Sequence, residues 1–231
     1  MHIYIHIPFC KTICSYCDFC KFIYNKKWID DYLNELECEI KKKYKNEKIK
    51  TLYIGGGTPS ALSFEQLEKL FSIIKIFNLD NDYEFTFECN IESIDYKNLD
   101  FLYRNKVNRL SIGVQTFNSK YLKFLNRFHT REEVFKKINL AKEIGFKNIN
   151  IDLIYAIPNQ TILELNNDLS DFLSLDINHI STYSLIIEPH TKLYIEGISN
   201  IDEEIDYKMY NLICETLKKN GFNHYEVSNF A

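Results

Sequence analysis

Short β-prone runs alternate with longer helical patterns along the whole chain, and this alternation restricts the fold more than any other feature. Strand-like runs fall at His2–Ile7, Thr51–Ile54, Tyr83–Glu88, Asn108–Val114, Asn148–Ile154 and His179–Leu185. Helical patterns lie between them, for example Trp28–Tyr44, Phe64–Phe77, Arg131–Ile144 and Ile162–Leu173. In the first, Ile29, Leu33, Leu36 and Ile40 share one face, as in a helix packed on a sheet. Strands separated by helices pair in parallel through right-handed crossovers. Six repeats therefore predict an α/β fold, either doubly wound or an incomplete (β/α)6 barrel with parallel strands. A last helix, Ile205–Lys219, and a strand-like run, His224–Val227, trail behind. The expected organisation is one domain over 1–231, with roughly 1–190 forming the barrel. A length of 231 residues with 45% hydrophobic content supplies one sizeable core.

Strand parity favours the barrel. Side chains alternate between the faces of a strand. Ile3, Ile5 and Ile7 oppose His2, Tyr4 and His6; Phe85 and Phe87 oppose Thr86 and Glu88. Ile112 and Val114 oppose Gly113 and Gln115, and Ile151 and Leu153 oppose Asn150 and Asp152. Each strand thus has one apolar face and one polar face that ends in a functional side chain. Barrel active sites lie at the C-terminal ends of the strands, so Tyr4, Glu88, Gln115 and Asp152 are expected to converge on one cavity.

The most chemically specific stretch is Cys10-Lys11-Thr12-Ile13-Cys14-Ser15-Tyr16-Cys17, just after the first strand. Three thiols at C-x3-C-x2-C can hold three irons of a [4Fe–4S] cluster and leave the fourth open. Thiolates also suit zinc, but a closed tetrahedral zinc site needs a fourth ligand. Cys20 or His6 would have to supply it, and no second CxxC is present. Cys38, Cys89 and Cys214 are isolated and read as ordinary small side chains. Seven cysteines form an odd count, which fits metal binding in a reducing compartment better than a disulfide framework. Residues 1–9 have neither a basic start nor the length of a membrane span, so a cytosolic protein is expected. A net charge of -4 argues against nucleic acid. Lys41-Lys42-Lys43, close to Glu37 and Glu39, reads as a solvated helix end. Gly55-Gly56-Gly57-Thr58-Pro59 follows the second strand and offers backbone to a ligand, or simply a tight turn. It is neither a Walker loop nor a dinucleotide fingerprint.

Together the motifs resemble the radical S-adenosylmethionine (SAM) superfamily. The resemblance is closest to the oxygen-independent coproporphyrinogen III oxidase family and its HemW-type heme chaperone branch. The phrases that carry it, in family order, are Tyr4-Ile5-His6-Ile7-Pro8-Phe9-Cys10, Cys17-Asp18-Phe19, Gly55-Gly56-Gly57-Thr58-Pro59-Ser60, Ser111-Ile112-Gly113-Val114-Gln115-Thr116-Phe117-Asn118, Asn150-Ile151-Asp152-Leu153-Ile154-Tyr155 and Tyr225-Glu226-Val227-Ser228-Asn229-Phe230-Ala231. The resemblance implies that Cys10, Cys14 and Cys17 hold a [4Fe–4S] cluster. It implies that Tyr4 and Tyr16 flank SAM, and that Gly56, Gly57 and Thr58 receive its amino group. Glu88, Gln115, Arg127 and Asp152 would clamp its ribose and carboxylate, and Ile186 would line the adenine pocket. It further implies reductive cleavage of SAM to a 5′-deoxyadenosyl radical, an electron donor such as a flavodoxin or ferredoxin, and heme or heme-accepting proteins as partners. The oxidase reads Cys-x-Cys after the third ligand, whereas this chain reads Cys17-Asp18-Phe19-Cys20. That spacing favours the chaperone branch, with a coproporphyrinogen oxidase or a truncated non-catalytic remnant as alternatives. The family has glycine where this chain has Asn126 and Ala156, and proline at Ile91. It also continues into a C-terminal domain with a His-Asn-x-x-Tyr-Trp heme motif, which is expected to be missing here.

Overall fold

A computed structural model describes residues 1–231. The chain forms two compact units, Met1–Thr12 with Phe19–Leu110, and Ile13–Asp18 with Ser111–Ala231.

The first unit is built on β1 (His2–Ile7), β2 (Ile49–Gly56) and β3 (Leu79–Asn90), adjacent in chain order and parallel. The register sets Ile5 against Ile54, and Leu52 and Ile54 against Phe85 and Phe87. These side chains are buried with Ile29 and Leu33 of α1 (Lys26–Lys43) and Leu70 and Phe71 of α2 (Phe64–Ile74). Phe71 stacks on Phe85 with ring centroids 5.8 Å apart. Truncating either ring would cost about 3–5 kcal/mol. Asn25 caps α1, and Ser63 with Gln66 forms a capping box at α2. Lys41 and Lys43 pair with Glu37 and Glu39 one turn back, as expected for a solvated helix end. Between β1 and α1, Phe9–Cys10 pairs with Phe22–Ile23 in a two-residue parallel ladder. α3 (Tyr96–Arg104) completes the unit. Its nine residues bury only Leu99 and Leu102, too weak a period to stand out in the sequence.

The second unit carries β4 (Arg109–Gln115, entering from the first unit), α4 (Ser119–Phe124), α5 (Arg131–Ile144), β5 (Asn148–Tyr155), α6 (Ile162–Ser174), β6 (His179–Ser184), α7 (Lys192–Ile195), α8 (Glu203–Lys219) and β7 (Asn229–Phe230). β5 and β6 are parallel, with Asp152 opposite Ser181. Capping boxes start α5 (Thr130, Glu133) and α6 (Thr161, Glu164), and Gly145 at φ 123 ends α5. The six expected βα repeats are present in order.

The expected strand His224–Val227 is not. His224 makes an isolated bridge to Phe230, and the last strand is Asn229–Phe230, antiparallel to β6. Glu226 turns the chain by accepting from Ser228 N–H at 3.0 Å and from the Asn229 side-chain amide. Val227 is 72% exposed, so the run has no buried face. The sheet is therefore mostly, not wholly, parallel.

Candidate functional site

In the first unit the functional residues gather where β1, β2 and β3 end. The N–H groups of Gly57 and Thr58 donate to Ile7 O and Phe9 O, both at 2.9 Å. This brings the Gly-Gly-Gly-Thr turn against the segment leading to Cys10. A Cβ on Gly57 would lie 2.9 Å from Phe9 N and Pro8 C, so only glycine fits. Thr58 Oγ1 then donates to the buried Cys10 Sγ at 3.3 Å, and Asn90 Nδ2 donates to Thr58 Oγ1 at 3.2 Å.

Glu88 lies on the polar face of β3, two residues before the strand ends at Asn90. It accepts from Tyr53 OH at 2.7 Å and from Gly56 N–H at 2.9 Å. Burial raises its pKa, and the two hydrogen bonds pull it back. With the Gly56, Gly57 and Thr58 N–H groups all engaged, the turn's remaining capacity is in carbonyl lone pairs. Those suit an ammonium group. Tyr4 is raised by burial and by the Glu88 charge, and it meets His6 Nδ1 at 3.0 Å. His6 Nε2 meets Cys20 O at 2.9 Å. Both ring nitrogens of His6 are thus occupied, and the Cys20 thiol is exposed. Of the two candidates for a fourth zinc ligand, His6 is engaged elsewhere and Cys20 is turned to solvent.

In the second unit, Cys14, Tyr16 and Cys17 form a tight turn, with Cys17 N–H on Cys14 O at 3.3 Å. Burial pushes the Tyr16 hydroxyl well up, the Cys14 thiol adds to that, and the Arg127 guanidinium opposes it. Arg127, 6% exposed, donates from Nη2 to Gly113 O at 2.9 Å, and His129 Nε2 meets Val114 O at 3.1 Å. The connection before α5 therefore braces the end of β4. Gln115 closes β4 at φ 72, buried, and the next two residues are gripped by Asp168 of α6. Asp168 accepts from Thr116 Oγ1 at 2.7 Å and Phe117 N–H at 2.9 Å. Asp152 accepts from Asn150 Nδ2 at 2.9 Å. Ile186 lies just beyond β6, 60% exposed.

The structure therefore gathers Tyr4, Cys10, Gly56, Gly57, Thr58 and Glu88 in one unit, and Cys14, Tyr16, Cys17 and Arg127 in the other. Sequence reasoning missed Tyr53, Asn90, Asp168 and the bracing role of His129. Asn150 was legible as a residue of Asp152's parity but not as its partner. The donor chemistry fits an iron–sulfur cluster: none of the seven cysteines is in a disulfide, and one of the three loop sulfurs accepts a hydroxyl hydrogen bond. Neither unit gathers three His, Cys, Asp or Glu side chains tightly enough for a single ion. A cluster does not require that, because each cysteine binds a different iron.

A profile of the Radical SAM superfamily matches residues 4–172. The heme chaperone HemW of Lactococcus lactis is 44% identical over 99% of this chain and 61% of its own length. That of Bacillus subtilis is 41% identical, over 99% and 62%. The chain thus spans about three fifths of the length of these relatives. Among solved structures, the coproporphyrinogen III oxidase HemN of Escherichia coli, a radical SAM enzyme, covers all of this chain at TM-score 0.91 and 29% identity; 55% of HemN is matched. SuiB of Streptococcus suis bound to S-adenosylmethionine shares the fold at TM-score 0.65 and 16% identity. No helix is long and apolar enough to cross a membrane.

Proposed function

This chain belongs to the Radical SAM superfamily, and on that premise we propose that it is a cytoplasmic heme-chaperone-type protein that binds a [4Fe–4S] cluster and SAM. One observation carries the cofactor reading. The hydroxyl of the Gly-Gly-Gly-Thr turn lies 3.3 Å from the buried Cys10 sulfur, so a ligand-receiving turn and a metal-ligating thiol are joined.

In this reading Cys10, Cys14 and Cys17 hold the cluster. Carbonyls of Gly56 and Gly57, with Thr58, receive the SAM amino group. Glu88, Gln115, Arg127 and Asp152 bind its ribose and carboxylate, Tyr4 and Tyr16 flank it, and Ile186 covers the adenine. A reduced cluster held there would supply the electron for reductive cleavage of SAM at its S–C5′ bond, to methionine and a 5′-deoxyadenosyl radical. The protein orients the sulfonium and excludes water. Glu88 and Arg127 act without reorganisation because their hydrogen bonds already fix them.

The names of the relatives support a heme chaperone, as does Cys20, one residue late for the oxidase pattern. The likeness to HemN, at TM-score 0.91, favours coproporphyrinogen oxidation as the second reading. Anaerobic reconstitution separates them. The expected protein is brown, loses its iron in Cys10→Ser, Cys14→Ser and Cys17→Ser, and releases 5′-deoxyadenosine with dithionite. It should leave coproporphyrinogen unchanged. A colourless protein with one zinc overturns the cofactor reading, and decarboxylation of coproporphyrinogen overturns the chaperone.

A further inference from the structure

An α-helix leaves its last four carbonyls without partners inside the helix. At the end of α4 all four are answered. Asn126, at φ 59, takes the left-handed position after the helix. Its N–H donates to Lys123 O at 3.2 Å, and Arg127 N–H donates to Leu122 O at 2.8 Å. This is the Schellman pattern, with asparagine in the place usually held by glycine. The other two carbonyls are answered by Ser15, far back in the sequence. Ser15 Oγ donates to Phe124 O at 2.6 Å, and Ser15 N–H donates to Leu125 O at 3.2 Å. Asn126 Nδ2 then donates to Ile13 O at 2.8 Å. Ser15 O accepts from Leu193 N–H at 3.1 Å, and Ser15 is buried.

Residues on both sides of Cys14 are therefore tied to one helix end. The only backbone bond inside the arm itself joins Cys17 N–H to Cys14 O. We infer that the C-terminal turn of α4 is a latch, acting through Ser15 and the side-chain amide of Asn126, that holds the Cys14–Cys17 arm in place for its metal cluster. Ser15 and Asn126 are positioning residues, and the inference rests on Cys14 and Cys17 being ligands. Glycine at 126 would supply the left-handed conformation but no amide. Asparagine supplies both, which gives its presence here a physical reason.

The test is thiol alkylation of the metal-free protein by N-ethylmaleimide, read by peptide mass spectrometry. The exposed Cys20 and Cys38 serve as internal references. Asn126→Gly keeps the backbone and removes the amide. Asn126→Asp keeps the shape but cannot donate, and Ser15→Ala removes the hydroxyl. Each should raise alkylation of Cys14 and Cys17, relative to the references, by about two- to tenfold, the worth of one hydrogen bond. Iron loss from reconstituted protein to a chelator should quicken in parallel, and Ser15→Thr should restore both. Unchanged alkylation ratios in Asn126→Gly and Ser15→Ala overturn the latch. Full iron retention in Cys14→Ser and Cys17→Ser overturns the ligand reading instead, since the alkylation ratio is measured without metal.

Discussion

Asp168 sits 2% exposed in α6 and holds the turn that follows Gln115, which makes it the most informative carboxylate for stability. Burial raises its pKa from 3.8 to about 6; the bonds from Thr116 and Phe117 oppose that rise, and the nearby Asp171 and Glu164 add to it. Because the folded value lies above the unfolded one, the folded state holds this proton more tightly. The stabilisation is complete below pH 3.8 and is lost as pH rises through about 6. The full interval is worth about 3 kcal/mol, and about 2 kcal/mol of it falls between pH 4.5 and 7.5. Asp168→Asn cannot titrate. Its own cost, from rearranging two hydrogen bonds, is the same at both pH values and cancels in the comparison. Urea unfolding of both metal-free proteins under reducing conditions should show the variant gaining about 2 kcal/mol on the parent between pH 4.5 and 7.5. A gap that does not move refutes the reasoning. A gap that moves the other way means the Thr116 and Phe117 bonds outweigh burial and the carboxylate is held as an anion.

Three further substitutions probe the backbone and the first cysteine. Gly57→Ala forces a Cβ to within 2.9 Å of the backbone before Cys10, and calorimetry should record a loss of about 1–3 kcal/mol. Ala156→Gly relieves a buried alanine held at φ 57. The thermal midpoint should rise by a few degrees, about 1 kcal/mol after the added unfolded-state entropy is subtracted. Thr58→Val removes the hydroxyl from Cys10 Sγ. Redox titration of the reconstituted protein should give a more negative midpoint, since hydrogen bonds to cluster sulfurs stabilise the reduced state; an unchanged midpoint would detach Thr58 from the metal ligand.

Legibility in the sequence followed the range over which each feature is decided. Strand parity is local, and it placed Glu88 opposite the buried Phe85 and Phe87 in β3 and Asp152 opposite Ile151 and Leu153 in β5, although both strands run on past these residues. The His224–Val227 run failed because parity needs a face to bury, and only tertiary packing could reveal that Val227 has none. Arg127 lies in a connection, where parity says nothing; its partner Gly113 O is reached only after α4 turns the chain back. Asn126 and Ala156, conspicuous where the family has glycine, both prove to be left-handed. The positions thus keep glycine's backbone demand although the residue has changed. The triple glycine sharpens the point. A Cβ at Gly55 would strike Glu88, one at Gly56 the His6 ring, and one at Gly57 the backbone of Pro8 and Phe9. The motif read as backbone offered to a ligand or as a tight turn, and each glycine is in fact required by a neighbour within the unit. A ligand would use the carbonyls that this packing presents, so the same close approach that excludes side chains also shapes the receiving surface.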